Sequence, residues 1–327
     1  MSAYRGAPRV GNHCGKDGEG AVYFVTEREK QYLVKGLIPK SRSADVAPEL
    51  RGWNWNQPPL EPVYDTRLAL YEVAGRYCPT ARDIYVRRVL RARSEPSPAM
   101  VSGSYYHALL AEVITRAKRL LYQHGVAGSQ EALVALKEFP EQIEATALAG
   151  LDTGTAAQVR EAGRALWEFE NLRIAARVME TISAHPHLGD DALISLAVPV
   201  VVEQRLDGSL IGLSSQLSAD ASVMSEAVVL DLKFGEPRDF HRLTTTGYAM
   251  VMESIYEYPV TIGCIVYAKF EHGHWSVQKD FHIIDDELRQ RFIEERDEKM
   301  RIVAEQIDPG VPEGCPRWCQ YYAVCHG

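Results

Sequence analysis

The chain has 327 residues, of which 46% are hydrophobic, and this supplies a sizeable core for one elaborated domain or two modest ones. No apolar run approaches the ~18 residues of a membrane span, and the N-terminus has no signal-peptide pattern, so we expect a soluble cytoplasmic protein that makes no membrane contact. The net charge of −8 excludes a general nucleic-acid coat, so any contact with DNA would need a local basic patch.

The N-terminal part of the chain predicts few regular elements. A short strand is possible at Ala21–Val25, and a helix is expected from about residue 27 to residue 37. Pro39 and the polar run after it predict a linker. Residues 49–60 carry two tryptophans and two prolines, which indicates an ordered loop. Its tryptophans either pack against the core or stack on nucleic-acid bases.

An arginine-rich helix is expected over residues 80–92, where Pro79 and Thr80 form a helix start. Its cations are Arg82, Arg87, Arg88, Arg91 and Arg93. Two interpretations remain open: a solvated face, or a face that binds the phosphates of a nucleic acid. Cys78 stands just before this helix.

Three long helices follow. The apolar spacing predicts them over residues 101–124, 129–149 and 153–184, and the first of them ends at Gly125. His107 lies in the first turns of that helix. This all-helical stretch separates the N-terminal part from the strands of the second half.

From Ser195 onward the pattern changes to strands. We expect an apolar strand and a returning strand, then a buried strand, a helix, a hairpin and a last charged helix. The corresponding ranges are 196–206, 210–217, 227–232, 238–256, 260–270 with 275–283, and 285–306.

The stretch Ala219–Gly235, with the sequence ADASVMSEAVVLDLKFG, carries the strongest chemical signal. Asp231 and Lys233 are two apart on the predicted strand, so both side chains leave the same face. Asp220 could join them from the preceding hairpin. Two carboxylates can hold a hard divalent cation, and a nearby lysine can orient a water for phosphodiester hydrolysis. The alternative is a surface hairpin that carries a salt bridge.

Three cysteines close together near the C-terminus indicate a metal or cluster site. Cys315, Cys319 and Cys325 have the spacing C-x3-C-x5-C. The fourth ligand has three candidates, which are Cys14, Cys78 and Cys264. Cys264 lies in an apolar strand and is expected to be a core thiol. Spacing alone does not separate zinc from an iron–sulfur cluster.

Taken together, these residues resemble the RecB-like branch of the PD-(D/E)XK nucleases. The matching pattern is His107 on a helix, then Asp220, then Asp231-Leu232-Lys233, then a helix with Tyr248. The single cysteine before the core and the three after it resemble the iron–sulfur nucleases of CRISPR adaptation. The runs RGWNWNQPPL and YCPTARDIYVRRV are similar to the longer archaeal form of subtype I-A systems.

The resemblance implies roles for individual residues. Mg²⁺ or Mn²⁺ would be held by His107, Asp220, Asp231 and the backbone carbonyl of Leu232. Lys233 would position the attacking water, and Asp220, Asp231, Lys233 and Tyr248 would form the catalytic set. Thr244 stands where the family has glutamine in its Q-x3-Y motif. A [4Fe–4S] cluster would be bound by Cys78, Cys315, Cys319 and Cys325.

The resemblance also implies an α/β (α+β) fold, with a restriction-endonuclease-like PD-(D/E)XK core in which helices flank a mixed sheet. Residues 1–100 would form an N-terminal extension and cap with one cluster cysteine. Residues 101–306 would form the nuclease core, with a helical insertion at about 108–190. Residues 307–327 would complete the iron–sulfur cap.

The expected function is metal-dependent cleavage of single-stranded or splayed DNA that has been captured for CRISPR spacer acquisition, with the adaptation integrase as partner. Two alternatives are a general RecB-like repair exonuclease and a non-catalytic DNA-binding scaffold subunit of the adaptation complex.

Overall fold

The structure is a computed structural model that describes residues 22–223 and 228–327. Within these residues, five strands form one mixed sheet in the order β1-β2-β3-β4-β5. The strands are β1 Val200–Leu206, β2 Leu217–Val223, β3 Val228–Lys233, β4 Ile262–Glu271 and β5 His274–Ile283. Strands β3 and β4 are parallel and the other neighbouring pairs are antiparallel.

Helices flank this sheet. They are α1 Glu27–Tyr32, α2 Ile38–Ser43, α3 Leu70–Ala74, α4 Arg82–Arg88, α5 Pro98–His124, α6 Ser129–Leu136, α7 Glu141–Leu148, α8 Thr153–Ala184, α9 Asp190–Ala197, α10 Arg242–Tyr256, α11 Asp286–Ala304 and α12 Tyr322–His326. A π-helical turn, Leu33–Leu37, joins α1 to α2. Helix α10 is the crossover that the parallel pair β3–β4 requires. The described helices contain no segment long and apolar enough to span a membrane.

Two apolar cores lie on opposite faces of the sheet because side chains alternate along β3. Leu230 packs with Leu109 and Leu166 of the long helices α5 and α8, and we call this group the first core. Val229 packs with Leu243 of α10 and other residues of the C-terminal half, and we call this group the second core. The buried strand is therefore apolar on both faces, as is usual for strands covered by helices.

Local sequence sets the ends of the longest helices. Helix α5 begins with Ser97 as its N-cap and Pro98 in its first turn. It ends at Gly125, whose φ of 65° only glycine adopts readily. The side chain of Asp152 caps α8 by accepting the amides of Gly154 and Thr155. The strand pattern after residue 227, the helix 238–256 and the final hairpin and helix are confirmed within a few residues.

Several predicted elements are wrong. Residues 22–25 form no strand, and Ala21 lies outside the described residues. Pro39 does not begin a linker: it lies inside the first turn of α2, directly after the π-helical turn, where its missing N–H is tolerated. The helix predicted over 129–149 is two helices, α6 and α7. Pro140 lies between them, and a proline is not tolerated in the interior of one continuous helix.

The start of the sheet also differs from the prediction. The run that begins at Leu196 contains the end of α9, and β1 begins only at Val200. The prediction missed this boundary because a short apolar run does not distinguish a buried helix from a strand. No strand occupies 210–216. A 3₁₀ turn, Ser209–Ile211, and Gly212 with a φ of 74° occupy this region, and β2 begins at Leu217.

Candidate active site

Asp231 and Lys233 lie on one face at the carboxyl end of β3, as the strand alternation predicts. Lys233 Nζ donates to Asp231 Oδ1 at 3.1 Å and lies 2.8 Å from Oδ2. Oδ2 is buried and, apart from this ion pair, has no hydrogen-bond partner among the described residues. The salt bridge is therefore a buried one, which differs from the surface hairpin of the alternative interpretation.

Asp220 reaches the site because β2 and β3 diverge beside it. Their pairing ends at Ala221 and Leu230. Beyond that point Asp220 Oδ2 accepts the amide of Leu232 at 2.9 Å, in place of a strand carbonyl. A carboxylate thus satisfies a backbone donor that the parting of the strands leaves open.

His107 approaches the same place from helix α5. Its Nδ1 lies 3.7 Å from Asp220 Oδ1, and its ring packs edge-on against Phe234 with centroids 5.3 Å apart. Burial lowers the pKa of His107, although Asp231 and a hydrogen bond with the backbone of Leu232 act in the opposite direction. A neutral imidazole with a free lone pair is the form that binds metal ions.

Burial dominates the electrostatics of the site. It raises the pKa of Asp220 and of Asp231 to about 6, with Lys233 opposing the rise in both. Burial lowers the pKa of Lys233, but the charges of Asp231 and Asp220 raise it by more, so its pKa lies above the usual value. Two carboxylates that are costly to ionise share one lysine, and a further cation would stabilise their charged forms.

These side chains surround one cavity of about 300 Å³. Its lining residues are Ala69, Leu70, Tyr71, His107, Ser214, Gln216, Leu217, Ser218, Asp220, Asp231, Lys233, Thr244 and Tyr248. The tertiary structure thus brings together all the predicted catalytic side chains. Tyr248, from α10, donates its hydroxyl to the carbonyl of Ser218. Thr244, one turn earlier on α10, also lines the cavity.

Glu203 is a charged neighbour of the site that sequence reasoning missed. It lies across from Asp220 on β1, between the paired residues 202 and 204, and its φ of 49° is unusual for a residue other than glycine. Its Oε2 accepts the hydroxyl of Ser218 at 2.6 Å, and its charge helps to raise the pKa of Asp220 after burial. Nothing in the run VVVEQRL distinguishes this glutamate before the register is known.

The donor set fits a hard divalent cation by its chemistry. It combines a neutral imidazole with two carboxylates, and one oxygen of the second carboxylate, Asp231 Oδ2, has no hydrogen-bond partner among the described residues. The side chains are not closed into a metal cage: in the part of the chain that the structure describes, no group of three or more His, Cys, Asp or Glu side chains has metal-binding geometry.

The tail cysteines lie near Cys78 in the tertiary structure. Partial burial, together with the charges of Cys319, Cys325 and Cys78, raises the pKa of Cys315. All four thiols are partly exposed and none forms a disulfide. Next to Cys78, the hydroxyl of Thr80 donates to the carbonyl of Gly310 at 2.9 Å, which ties the two segments together.

The other two cysteines differ in what the structure says of them. Cys264 is fully buried in β4, and burial raises the pKa of its thiol, which confirms the expected core position. Cys14 lies outside the described residues.

The predicted arginine face is mostly turned to internal contacts. Arg82 forms two hydrogen bonds with Asp308, at 2.8 and 2.9 Å. Arg88 binds both oxygens of Glu72, at 2.9 and 2.6 Å. Arg87 donates to the hydroxyl of Tyr321 at 3.0 Å. These three cations bind residues of the same chain, which favours an internal structural role for them over the phosphate-binding interpretation.

Comparisons with known proteins show which family the chain is similar to. A family model described as CRISPR-associated exonuclease Csa1 matches residues 23–327. The chain is 30% identical over 304 residues to the CRISPR-associated exonuclease Csa1 of Saccharolobus solfataricus, a match that covers 93% of this chain and 99% of that protein. It is 29% identical over 282 residues to the protein of the same name from Thermoproteus tenax, covering 86% and 92% respectively. No solved structure matches the chain significantly.

Proposed function

The chain belongs to the Csa1 family of CRISPR-associated exonucleases, and from this premise we propose that it is a metal-dependent deoxyribonuclease that trims captured DNA for spacer acquisition. Its substrates would be single strands or splayed ends. The observation that carries the proposal is the convergence of His107, Asp220, Asp231 and Lys233 on one cavity. These residues come from helix α5 and from the consecutive strands β2 and β3, which lie far from that helix in the sequence.

The residues that would hold Mg²⁺ or Mn²⁺ are His107, Asp220, Asp231 and the carbonyl of Leu232. When bound, such a cation supplies Lewis-acid polarisation of the scissile phosphate and lowers the pKa of a bound water. The residues themselves prepare this role. The two aspartates concentrate negative charge in a buried place, and His107 stays neutral because burial lowers its pKa.

Lys233 would act on the substrate rather than on the cation. Asp231 holds its ammonium at the end of β3, where the cavity opens, and keeps it protonated by raising its pKa. A fixed cation at this place stabilises the negative charge that develops on the phosphate during hydrolysis and orients the attacking water. Tyr248 completes the wall and holds β2 by donating its hydroxyl to the carbonyl of Ser218, two residues before Asp220.

We assign the four partly exposed cysteines, Cys78, Cys315, Cys319 and Cys325, as ligands of a [4Fe–4S] cluster. Thiolates are the ligands that such clusters take, and the positive charge of bound iron would stabilise thiolates that lie as close together as these four cysteines do. The restriction-endonuclease-like core and the iron–sulfur cap belong to the same proposal. The CRISPR adaptation integrase would receive the trimmed DNA.

The test is cleavage of end-labelled single-stranded, splayed and blunt duplex DNA with Mg²⁺, Mn²⁺ or a chelator. Wild-type protein should cut the single-stranded and splayed substrates only when the cation is present. Lys233→Ala should lower the rate by about 10²-fold, the scale of one lost electrostatic stabiliser, while its affinity for Mn²⁺ stays close to that of the wild type. Equal cleavage in chelator, or full rescue of Lys233→Ala by excess Mn²⁺, would contradict these roles.

A further inference from the structure

Two exposed tyrosines, Tyr71 and Tyr77, lie six residues apart in the sequence just before helix α4. Tyr71 lines the cavity itself and its surface is 63% exposed. Tyr77 is 58% exposed. Exposed rings are common on protein surfaces, but these two have a special position: Tyr71 lines the cavity, and Tyr77 is linked through His241 and Tyr267 to the strand beside Lys233.

Each ring is held by its hydroxyl group rather than by burial. Arg87 donates to the hydroxyl of Tyr71 at 2.8 Å, and its guanidinium lies 5.2 Å from the centre of that ring. The hydroxyl of Tyr77 lies 3.2 Å from His241 Nε2, and its ring meets Phe240 edge-on at 4.9 Å. The rings are therefore fixed in direction while much of their surface stays in solvent.

His241, which contacts the hydroxyl of Tyr77, also contacts the strand next to β3. His241 Nδ1 lies 3.2 Å from the hydroxyl of Tyr267 on β4. Tyr267 is the parallel neighbour of Lys233 in the sheet register. The position of the Tyr77 ring is thus set relative to the lysine that would meet the scissile phosphate.

We propose that Tyr71 and Tyr77 form a stacking platform for unpaired bases of the DNA next to the scissile phosphate. This inference rests on the proposed nuclease function and narrows its substrate to DNA whose bases are open at the cleavage point. Stacking on aromatic rings tolerates any base, because every base has a π-face. A ring that is already fixed loses little entropy when a base stacks on it.

The charge of the chain supports this mode of binding. Proteins that bind single strands usually combine a basic groove with aromatic rings. Here the net charge is −8, and Arg82, Arg87 and Arg88 are engaged in internal contacts. Aromatic stacking therefore has to supply a larger share of the affinity than it does on a strongly basic protein.

The experiment measures binding in chelator, where no cleavage occurs, by the fluorescence anisotropy of a labelled single strand and of a blunt hairpin duplex. Tyr71→Ala and Tyr77→Ala should each weaken single-strand binding by about 5- to 100-fold and leave duplex binding unchanged. Tyr71→Phe and Tyr77→Phe keep the rings and should bind more tightly than the alanine variants. Tyr122→Ala is the matched control, because Tyr122 is 70% exposed on α5 and lies about 22 Å along that helix from His107.

A second arm uses the wild-type protein, so it holds even where a variant folds poorly. Replacing bases of the single strand with abasic sites should lower wild-type affinity, and the Tyr71→Ala/Tyr77→Ala protein should bind intact and abasic strands alike. Alanine variants that bind like the wild type, or that lose single-strand and duplex binding equally, would overturn the platform. Ring-dependent binding without cleavage by the wild type in Mg²⁺ or Mn²⁺ would overturn the nuclease proposal instead.

Discussion

At the scale of single residues, Asp231 is the clearest case of a side chain whose burial costs stability while its charge would serve function. It is buried at the end of β3, and one of its oxygens has no hydrogen-bond partner among the described residues. Its charge is opposed by burial strongly enough to raise its pKa to about 6. Stability alone would favour an apolar residue at such a position, so the retained carboxylate points to chemistry.

Asp231→Asn should abolish cleavage while keeping the shape of the side chain, because an amide does not supply the negative charge that a divalent cation requires. Thermal unfolding with and without Mn²⁺ gives a second readout. The wild type should gain stability from Mn²⁺ by mass action, and the variant should gain much less. An equal shift of the unfolding midpoint in both proteins would exclude Asp231 as a ligand.

Glu170 offers a pH prediction at a residue outside the active site. It is fully buried on α8, its Oε1 accepts the amide of Val22 at 2.9 Å, and burial raises its pKa to about 7. A raised carboxyl pKa means that the folded state binds its proton more tightly than the unfolded state does. Stability should therefore fall as the pH rises from about 4.5 to about 7.

Glu170→Gln keeps an acceptor for Val22 but removes this titration. The variant should match the wild type at pH 4.5 and be more stable at pH 8, by up to about 3 kcal/mol for a shift of this size. Urea unfolding at several pH values measures the difference. Parallel curves for the two proteins between pH 4.5 and pH 8 would show that the carboxyl group of Glu170 titrates normally.

Among the elements, β2 shows how a bend creates the site. Ala221 packs in the first core, whereas Leu217 and Ala219 pack in the second core. Residues spaced by two share a face in a regular strand, so β2 must twist at Asp220. Glu203 lies across from that point with its φ of 49°. The twist parts β2 from β3 and lets the Asp220 carboxylate reach the amide of Leu232.

The arginines of helix α4 make contacts within the chain, so we expect their replacement to lower the stability of the fold. Arg88→Ala would leave the fully buried Glu72 carboxylate without its bidentate partner. We expect a loss of about 1–3 kcal/mol in the free energy of unfolding, reduced from the value of a wholly buried pair because Arg88 itself is partly exposed.

The matched control for Arg88 is Arg91→Ala, because Arg91 is exposed, and its effect should stay within about 0.5 kcal/mol. Urea unfolding measures both variants. If Arg88→Ala kept full stability but flattened the salt dependence of DNA binding, the arginine would be a phosphate contact after all.

Across the whole molecule, the cysteines join distant parts of the chain. Cys78 and the three tail cysteines are separated by more than two hundred residues, yet the charge of Cys78 acts on Cys315. A ligand set that closes so long a loop stabilises the fold by restricting the unfolded chain. The salt bridge between Arg82 and Asp308 joins the segment after Cys78 to the segment before the tail cysteines.

Anaerobically purified protein should be brown and carry about four irons per chain, as cysteine ligation of a [4Fe–4S] cluster requires. Cys78→Ser should lose iron and thermal stability together, because the ligand also closes the fold. Cys14→Ser is the control and should keep both. A colourless wild type with one zinc would refute the iron–sulfur assignment, and an iron-free Cys14→Ser protein beside a normal Cys78→Ser protein would overturn the choice of ligand.

The sequence by itself determined the elements whose signals are local. Alternation along β3 placed Asp231 and Lys233 on one face, and Gly125 marked the end of α5. The motif order also identified the nuclease resemblance that the family match bears out. These features depend on neighbouring residues or on short spacings, so a linear reading can recover them.

Only the tertiary structure decided the features that depend on contacts between distant residues. The twist at Asp220, the place of Glu203 across from it, the engagement of Arg88 by Glu72 and the exposure of Tyr71 at the cavity follow from packing and register. Propensity does not encode whether an arginine meets a buried carboxylate or a phosphate, because both satisfy the same guanidinium. Long-range burial therefore decided which charged and aromatic residues support the fold and which face the cavity.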